Sequence, residues 1–137
     1  MEHIYSKINS DTLLHAIIRS AEVEDVKFLS PPTEFLQVAA LRMRKGRTFL
    51  PHKHIWKSGE ERVIAQESWI VFKGLARVTL YDLNDDVLLV STLRPGDCSV
   101  TFQGGHSYEI LEDDTLVYEH KTGPYYGPEQ DKELIDG

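Results

Sequence analysis

The chain has 137 residues, a net charge of −7 and an isoelectric point near 5.3. That length suits one domain with a real core, and the acidic balance argues against nucleic acid or an anionic membrane as partner, since neither phosphate array would be attracted. A single cysteine, Cys98, excludes an internal disulfide and suits a reducing compartment.

From the N-terminus, the run MEHIYSKINSDTLLH lacks the basic start and apolar stretch of a signal peptide. No apolar stretch approaches the roughly 18 residues that span a bilayer, so the sequence predicts a soluble cytoplasmic protein. Ser10 or Asp11 is placed to cap a helix over 11–22, in which Leu13, Leu14, Ile17 and Ile18 recur at helical spacing. Ser30-Pro31-Pro32 ends that region in an extended or turn conformation. Strand-like runs follow at 35–44, 48–54, 67–72, 76–82, 87–93, 98–102, 107–111 and 115–120. Lys73-Gly74, Asn84-Asp85-Asp86, Arg94-Pro95-Gly96-Asp97, Gln103-Gly104-Gly105 and Glu112-Asp113-Asp114 separate several of them. Turn signals about every ten residues between short β-rich runs predict an antiparallel sandwich or small barrel. The tail from Thr122 shows no period and reads as loop or fraying end. The division is thus 1–34, N-terminal helix and linker; 35–121, barrel; 122–137, tail; all one domain.

The chemistry concentrates at His52 and His54, which point the same way on a strand because side chains alternate faces. A carboxylate and a third histidine on neighbouring strands, Glu67 and His106, complete a site of three nitrogens and one oxygen for a divalent metal. Trp69 and Val71 share the strand face of Glu67, so its carboxylate would enter an apolar interior, where an unpaired charge costs several kcal/mol and a metal or hydrogen-bonded partner offsets that. Tyr108 shares the face of His106, and Arg42 and Arg44 share one face of their strand. With Trp69, these form the substrate-binding candidates. Arginine suits carboxylate or phosphate through its two-pronged donor geometry. His3, His15 and His120 are weaker ligand candidates, Glu60 or Glu61 could replace Glu67, and Cys98 reads as a small packed residue.

These residues resemble the first motif of the cupin superfamily, G-x5-H-x-H-x3–4-E-x6-G. Gly46-x5-His52-x-His54 and Glu67-x6-Gly74 fit it, with twelve residues between His54 and Glu67 where the family has three or four. The second motif, G-x5-P-x-G-x2-H-x3-N, is matched loosely by Pro95-Gly96-Asp97 through His106, with Phe102 in place of proline and no following asparagine. The ending Glu119-His-Lys-Thr-Gly-Pro-Tyr125 with Asp131-Lys132 is similar to the E-x-K-x-G-P-Y…D-K ending of the small WbuC-like cupins found with polysaccharide-biosynthesis genes. The resemblance implies an all-β jelly-roll barrel, the double-stranded β-helix of cupins, here with a short N-terminal helix. It further implies one divalent transition metal (Fe, Mn, Ni, Zn or Co) on His52, His54, Glu67 and His106, and a homodimer.

Three functions are compatible with these residues. The first is a metal-dependent enzyme of isomerase, epimerase or oxygenase type, acting on a small oxygen-rich substrate such as a sugar or sugar nucleotide. The second is a metal-free sugar-nucleotide ketoisomerase or epimerase with histidine acid–base chemistry. The third is a non-enzymatic ligand-binding module. Related ketoisomerases tend to carry glutamine where Glu67 stands, which favours metal. The extra residues 55–66 are expected to cover the site, with Trp56 folding over bound ligand.

Overall fold

Period-two burial organises most of the chain. In the computed structural model, which describes residues 1–57, 63–125 and 127–136, the strands are β1 (Glu2–Tyr5), β2 (Leu13–Ile17), β3 (Val26–Phe28), β4 (Leu36–Met43), β5 (Thr48–His54), β6 (Trp56–Lys57), β7 (Val63–Ile64), β8 (Glu67–Lys73), β9 (Ala76–Tyr81), β10 (Val87–Leu93), β11 (Cys98–Thr101), β12 (Gly105–Ile110), β13 (Thr115–Thr122) and β14 (Lys132–Leu134). A single helical turn, α1 (Pro128–Asp131), precedes β14. Two five-stranded sheets run in the orders β10-β9-β12-β5-β14 and β11-β8-β13-β4-β3, and β1-β2 and β6-β7 form separate hairpins. Every pairing among the described residues is antiparallel.

The core lies between the two sheets. Leu41 and Met43 of β4, Trp69 and Val71 of β8, Val78 of β9, Tyr108 and Ile110 of β12 and Val117 of β13 bury their side chains there. Trp69 and Tyr108 stack across the gap with ring centroids 3.8 Å apart and planes 11° from parallel, a geometry worth about 0.5–1.5 kcal/mol beyond the area buried. Gly74 closes the β8–β9 turn at φ +90°, and any Cβ there would run into Thr115. Both facts require glycine. Among the described residues no helix is long and apolar enough to cross a membrane.

The helix expected over 11–22 does not form. Residues 13–17 are strand β2, paired with β1 from Glu2↔Ile17 onward, and only Ser20–Glu22 makes a single 3-10 turn. The hydroxyl of Ser6 accepts hydrogen bonds from the Ile8 and Asn9 amides and shapes the connecting turn. A helix of twelve residues is marginal without tertiary burial, whereas the hairpin satisfies its backbone locally and leaves Ile18 to pack against Val23, Ala40 and Leu116. The tail is likewise more ordered than its sequence suggests. β14 pairs with β5 through Lys132↔His54 and Leu134↔His52.

Candidate metal centre

β5 and β12 lie side by side in one sheet with His106 opposite His52 in register, while β8 belongs to the facing sheet. The gap between the sheets therefore receives His52, His54 and His106 from one side and Glu67 from the other. All four are buried, and one ligand atom from each lies within 4.8 Å of the others. Glycine at position 105 permits this approach, because a Cβ there would collide with the Ile135 side chain and stand 3.0 Å from the His52 carbonyl oxygen.

Each ring is aimed by its outer nitrogen. His52 Nδ1 donates to the Leu50 carbonyl at 2.7 Å, and His54 Nδ1 donates to the Ala65 carbonyl at 2.9 Å. A carbonyl oxygen only accepts, so both rings carry their proton on Nδ1 and turn an Nε2 lone pair inward. Thr101 Oγ1 holds His106 Nδ1 at 2.8 Å. On the other wall, the Trp69 indole donates to Glu67 Oε1 at 3.1 Å, leaving Oε2 facing His54 Nε2 at 3.2 Å and His106 Nε2 at 3.5 Å. His52 Nε2 and His106 Nε2 are 3.1 Å apart. Two donors at right angles on one ion, with bonds of about 2.1 Å, stand about 3 Å apart, so these separations fit one transition metal. Without a cation or a shared proton, the converging lone pairs would repel.

Burial alone would raise the Glu67 carboxyl, but in the metal-free site a proton shared with the His106 and His54 imidazoles outweighs burial and holds the group well below the usual carboxylate range. His52 is lowered to about 4, first by burial. Burial pushes the Tyr108 phenol above its ordinary value, so it stays protonated, and its oxygen lies 3.0 Å from the Ser99 hydroxyl.

Of the substrate-binding candidates, Trp69 and Tyr108 line the central cavity of about 100 Å³. Arg42 and Arg44 do not. β4 directs Leu41 and Met43 inward, so the even-numbered arginines face out, where Arg42 binds the carbonyls of Val23 and Ser20 and pairs with Asp114. Both arginines border a separate surface cleft with Glu24, Asp25 and Asp113. His120 alternates with the inward Glu119 and Lys121 and does not line the cavity. Cys98 is exposed rather than packed, because β11 is a sheet edge.

Several residues of the site were not singled out as site residues from sequence. Glu119, Lys121 and Lys132 line the cavity. Asp131 is 1% exposed, with Oδ2 3.2 Å from Lys121 Nζ and 3.7 Å from His54 Nε2. All four belong to the tail pattern Glu119…Lys121…Asp131-Lys132, so the signal was present but attached to no chemistry. Glu119 is raised to about 8, by burial and then by the charge of Glu67 beside it. The expected cover over 55–66 is in part the hairpin β6-β7, and its base is structural, since buried Ala65 supplies the acceptor for His54. Glu60 and Glu61 fall outside the described residues.

No protein-family profile matches this chain. No curated protein matches it either. Solved structures do. KdgF from Halomonas sp. is 22% identical, with a TM-score of 0.56 over 71% of this chain and 76% of its own. A variant of Bacillus subtilis oxalate decarboxylase is 19% identical, with a TM-score of 0.61 over 80% of this chain and 28% of its own. The coconut allergen cocosin is 16% identical, with a TM-score of 0.53 over 65% of this chain and 22% of its own. The chain thus spans most of the first and about a quarter of the other two. What is shared is the fold: these neighbours are cupins, and the two facing antiparallel sheets are a jelly-roll cupin barrel.

Proposed function

We propose that this protein is a metal-dependent enzyme acting on a small oxygen-rich molecule. The observation that carries the reading is the buried cluster of His52, His54, Glu67 and His106, with three imidazoles oriented by outer partners and a carboxylate held ionised among them. When bound, a divalent ion there supplies Lewis-acid polarisation of substrate oxygen. The chain's own residues do the rest. Trp69 and Tyr108 form an aromatic wall that excludes water, Lys121 and Lys132 supply positive charge at the cavity, and Glu119 stands beside Glu67 as a carboxyl able to give or take a proton. The fold is shared with oxalate decarboxylase, which carries Mn(II) centres, and this supports loading with Mn(II) first. The tail's likeness to WbuC-like cupins makes a sugar or sugar nucleotide one candidate substrate.

Elemental analysis of purified protein tests the reading. About one transition metal per chain is expected, with sharp loss in Glu67→Gln and in the double variant His52→Ala/His54→Ala. Full occupancy in the double variant would sink the proposal. Activity that persists in protein stripped of metal would instead favour metal-free histidine acid–base chemistry.

A homodimer belongs to the same proposal. The N-terminal segment is a hairpin rather than a helix, and the outermost strand β10 offers Val87, Leu88, Leu89 and Val90, each more than half exposed, on a sheet edge.

A further inference from the structure

The metal-side cavity is small. Its volume of about 100 Å³ lies well below the roughly 300 Å³ at which ligand pockets usually begin. A second cavity of about 330 Å³ shares two wall residues with it, Glu119 and Lys121, and opens between β3, β4 and the tail. The second space by itself reaches the usual range for ligand sites.

Their linings differ in kind. Phe28, Pro32, Val38, Ala39 and Tyr125 form the second cavity's wall. Away from Glu119 and Lys121, its polar groups Ser30 and Gln37 are partly engaged. The Ser30 hydroxyl accepts from the Val38 amide, and the Gln37 amide donates to the Pro31 and Glu34 carbonyls. The wall formed by Phe28, Pro32, Val38, Ala39 and Tyr125 is therefore mostly apolar, and a hydroxyl placed against the side chains of Phe28, Val38 and Ala39 would lose water without gaining a partner.

The junction between the cavities carries fixed positive charge. Lys121 Nζ is held 3.2 Å from Asp131 Oδ2 and 4.4 Å from the centre of the Tyr125 ring, so its ammonium is positioned in advance at the shared wall. Lys132 reaches the metal-side cavity from β14. Against these cations stand the carboxyl groups of Asp131, Glu67 and Glu119. Even with all three ionised, Lys121, Lys132 and a divalent ion would outweigh them and leave the chamber net positive, although the whole chain is acidic.

Resting on the metal-dependent reading above, we infer that the ligand is a carboxylate with an apolar body. Its carboxylate and a neighbouring oxygen sit in the histidine chamber beside Lys121 and Lys132, and its hydrocarbon part lies along Phe28, Val38, Ala39 and Tyr125. A hydroxylated sugar of the same size meets few hydrogen-bonding partners along Phe28, Val38 and Ala39.

Isothermal titration of the full-length, Mn(II)-loaded protein with pyruvate, 2-oxopentanoate, 2-oxohexanoate and gluconate tests this. Each buried methylene strengthens binding by about fourfold at most, so the extra methylenes of 2-oxohexanoate can tighten binding over pyruvate by up to about 60-fold; about tenfold or more is expected, with gluconate weakest. Phe28 is 72% exposed and its loss should leave the fold intact. Phe28→Ala should shrink the chain-length preference, and Lys132→Met should weaken all the oxo acids alike. Equal affinity along the series, or tighter binding of gluconate, would overturn the inference in the wild-type protein alone. Metal content of the same samples reads the underlying proposal separately. A chain-length preference in protein that retains no metal would keep the two-cavity reading and sink the metal reading, and bound metal without a preference would do the reverse.

Discussion

His52 is 9% exposed, wedged among two other imidazoles and the Glu67 carboxylate. Burial lowers its pKa from 6.5 to about 4; the Leu50 carbonyl on its other nitrogen opposes that shift, and the nearby His106 and Lys132 add to it. The sign of the stability effect follows. Between those values the unfolded chain binds a proton that the folded chain refuses, so stability is full above about 6.5 and falls as pH drops towards 4. The loss from this group is up to about 3 kcal/mol. Urea unfolding of metal-stripped protein at about pH 7 and about pH 4 should show it, and His52→Gln should flatten that part of the slope. Identical slopes in the two proteins would refute the burial account. With metal bound, the ligands must stay deprotonated, so acidification should also release the ion.

At the scale of elements, the tail decides more than its length suggests. β14 caps the free edge of β5 directly beside His52 and His54, the Ile55 amide donates to the Asp131 carbonyl, and Ile135 covers Gly105. The Asp131 carboxylate fixes Lys121 and flanks His54, while its Oδ1 is buried with no partner among the described residues. Outer groups that orient metal ligands typically change affinity by about 10- to 100-fold when lost. Ending the chain at residue 127 should therefore weaken metal binding by that order in a chelator competition, while the far-UV spectrum remains that of a β protein. Unchanged affinity would reduce the tail to a packing element.

For the whole molecule, the exposed apolar run on β10 is the feature that a lone barrel manages worst, because an edge strand presents unpaired backbone groups as well as Val87–Val90. Antiparallel pairing of two β10 edges about a twofold axis would cover both. Light scattering at micromolar concentration should give about twice the 15.7 kDa chain mass, and Leu88→Lys/Val90→Lys should halve it. A monomeric wild-type protein would remove the dimer from the proposal.

The sequence by itself determined eight of the ten strands in the two sheets and the four clustered donors, because alternation with period two assigns each residue of a strand to a face without knowledge of its partner. β5, β10 and the inward set Glu67, Trp69 and Val71 appear as the spacing predicts. Where local pattern was ambiguous, tertiary structure decided. Residues 11–22 carry apolar pairs compatible with helix or strand, and pairing with β1 selected strand. Arg42 and Arg44 satisfied the face rule equally well pointing in or out, and only the packing of Leu41 and Met43 fixed the parity. The tail had no period at all. Its place beside β5, and with it the arrival of Asp131 and Lys132 at the histidines, depends on contacts between residues some eighty positions apart, which no local pattern encodes.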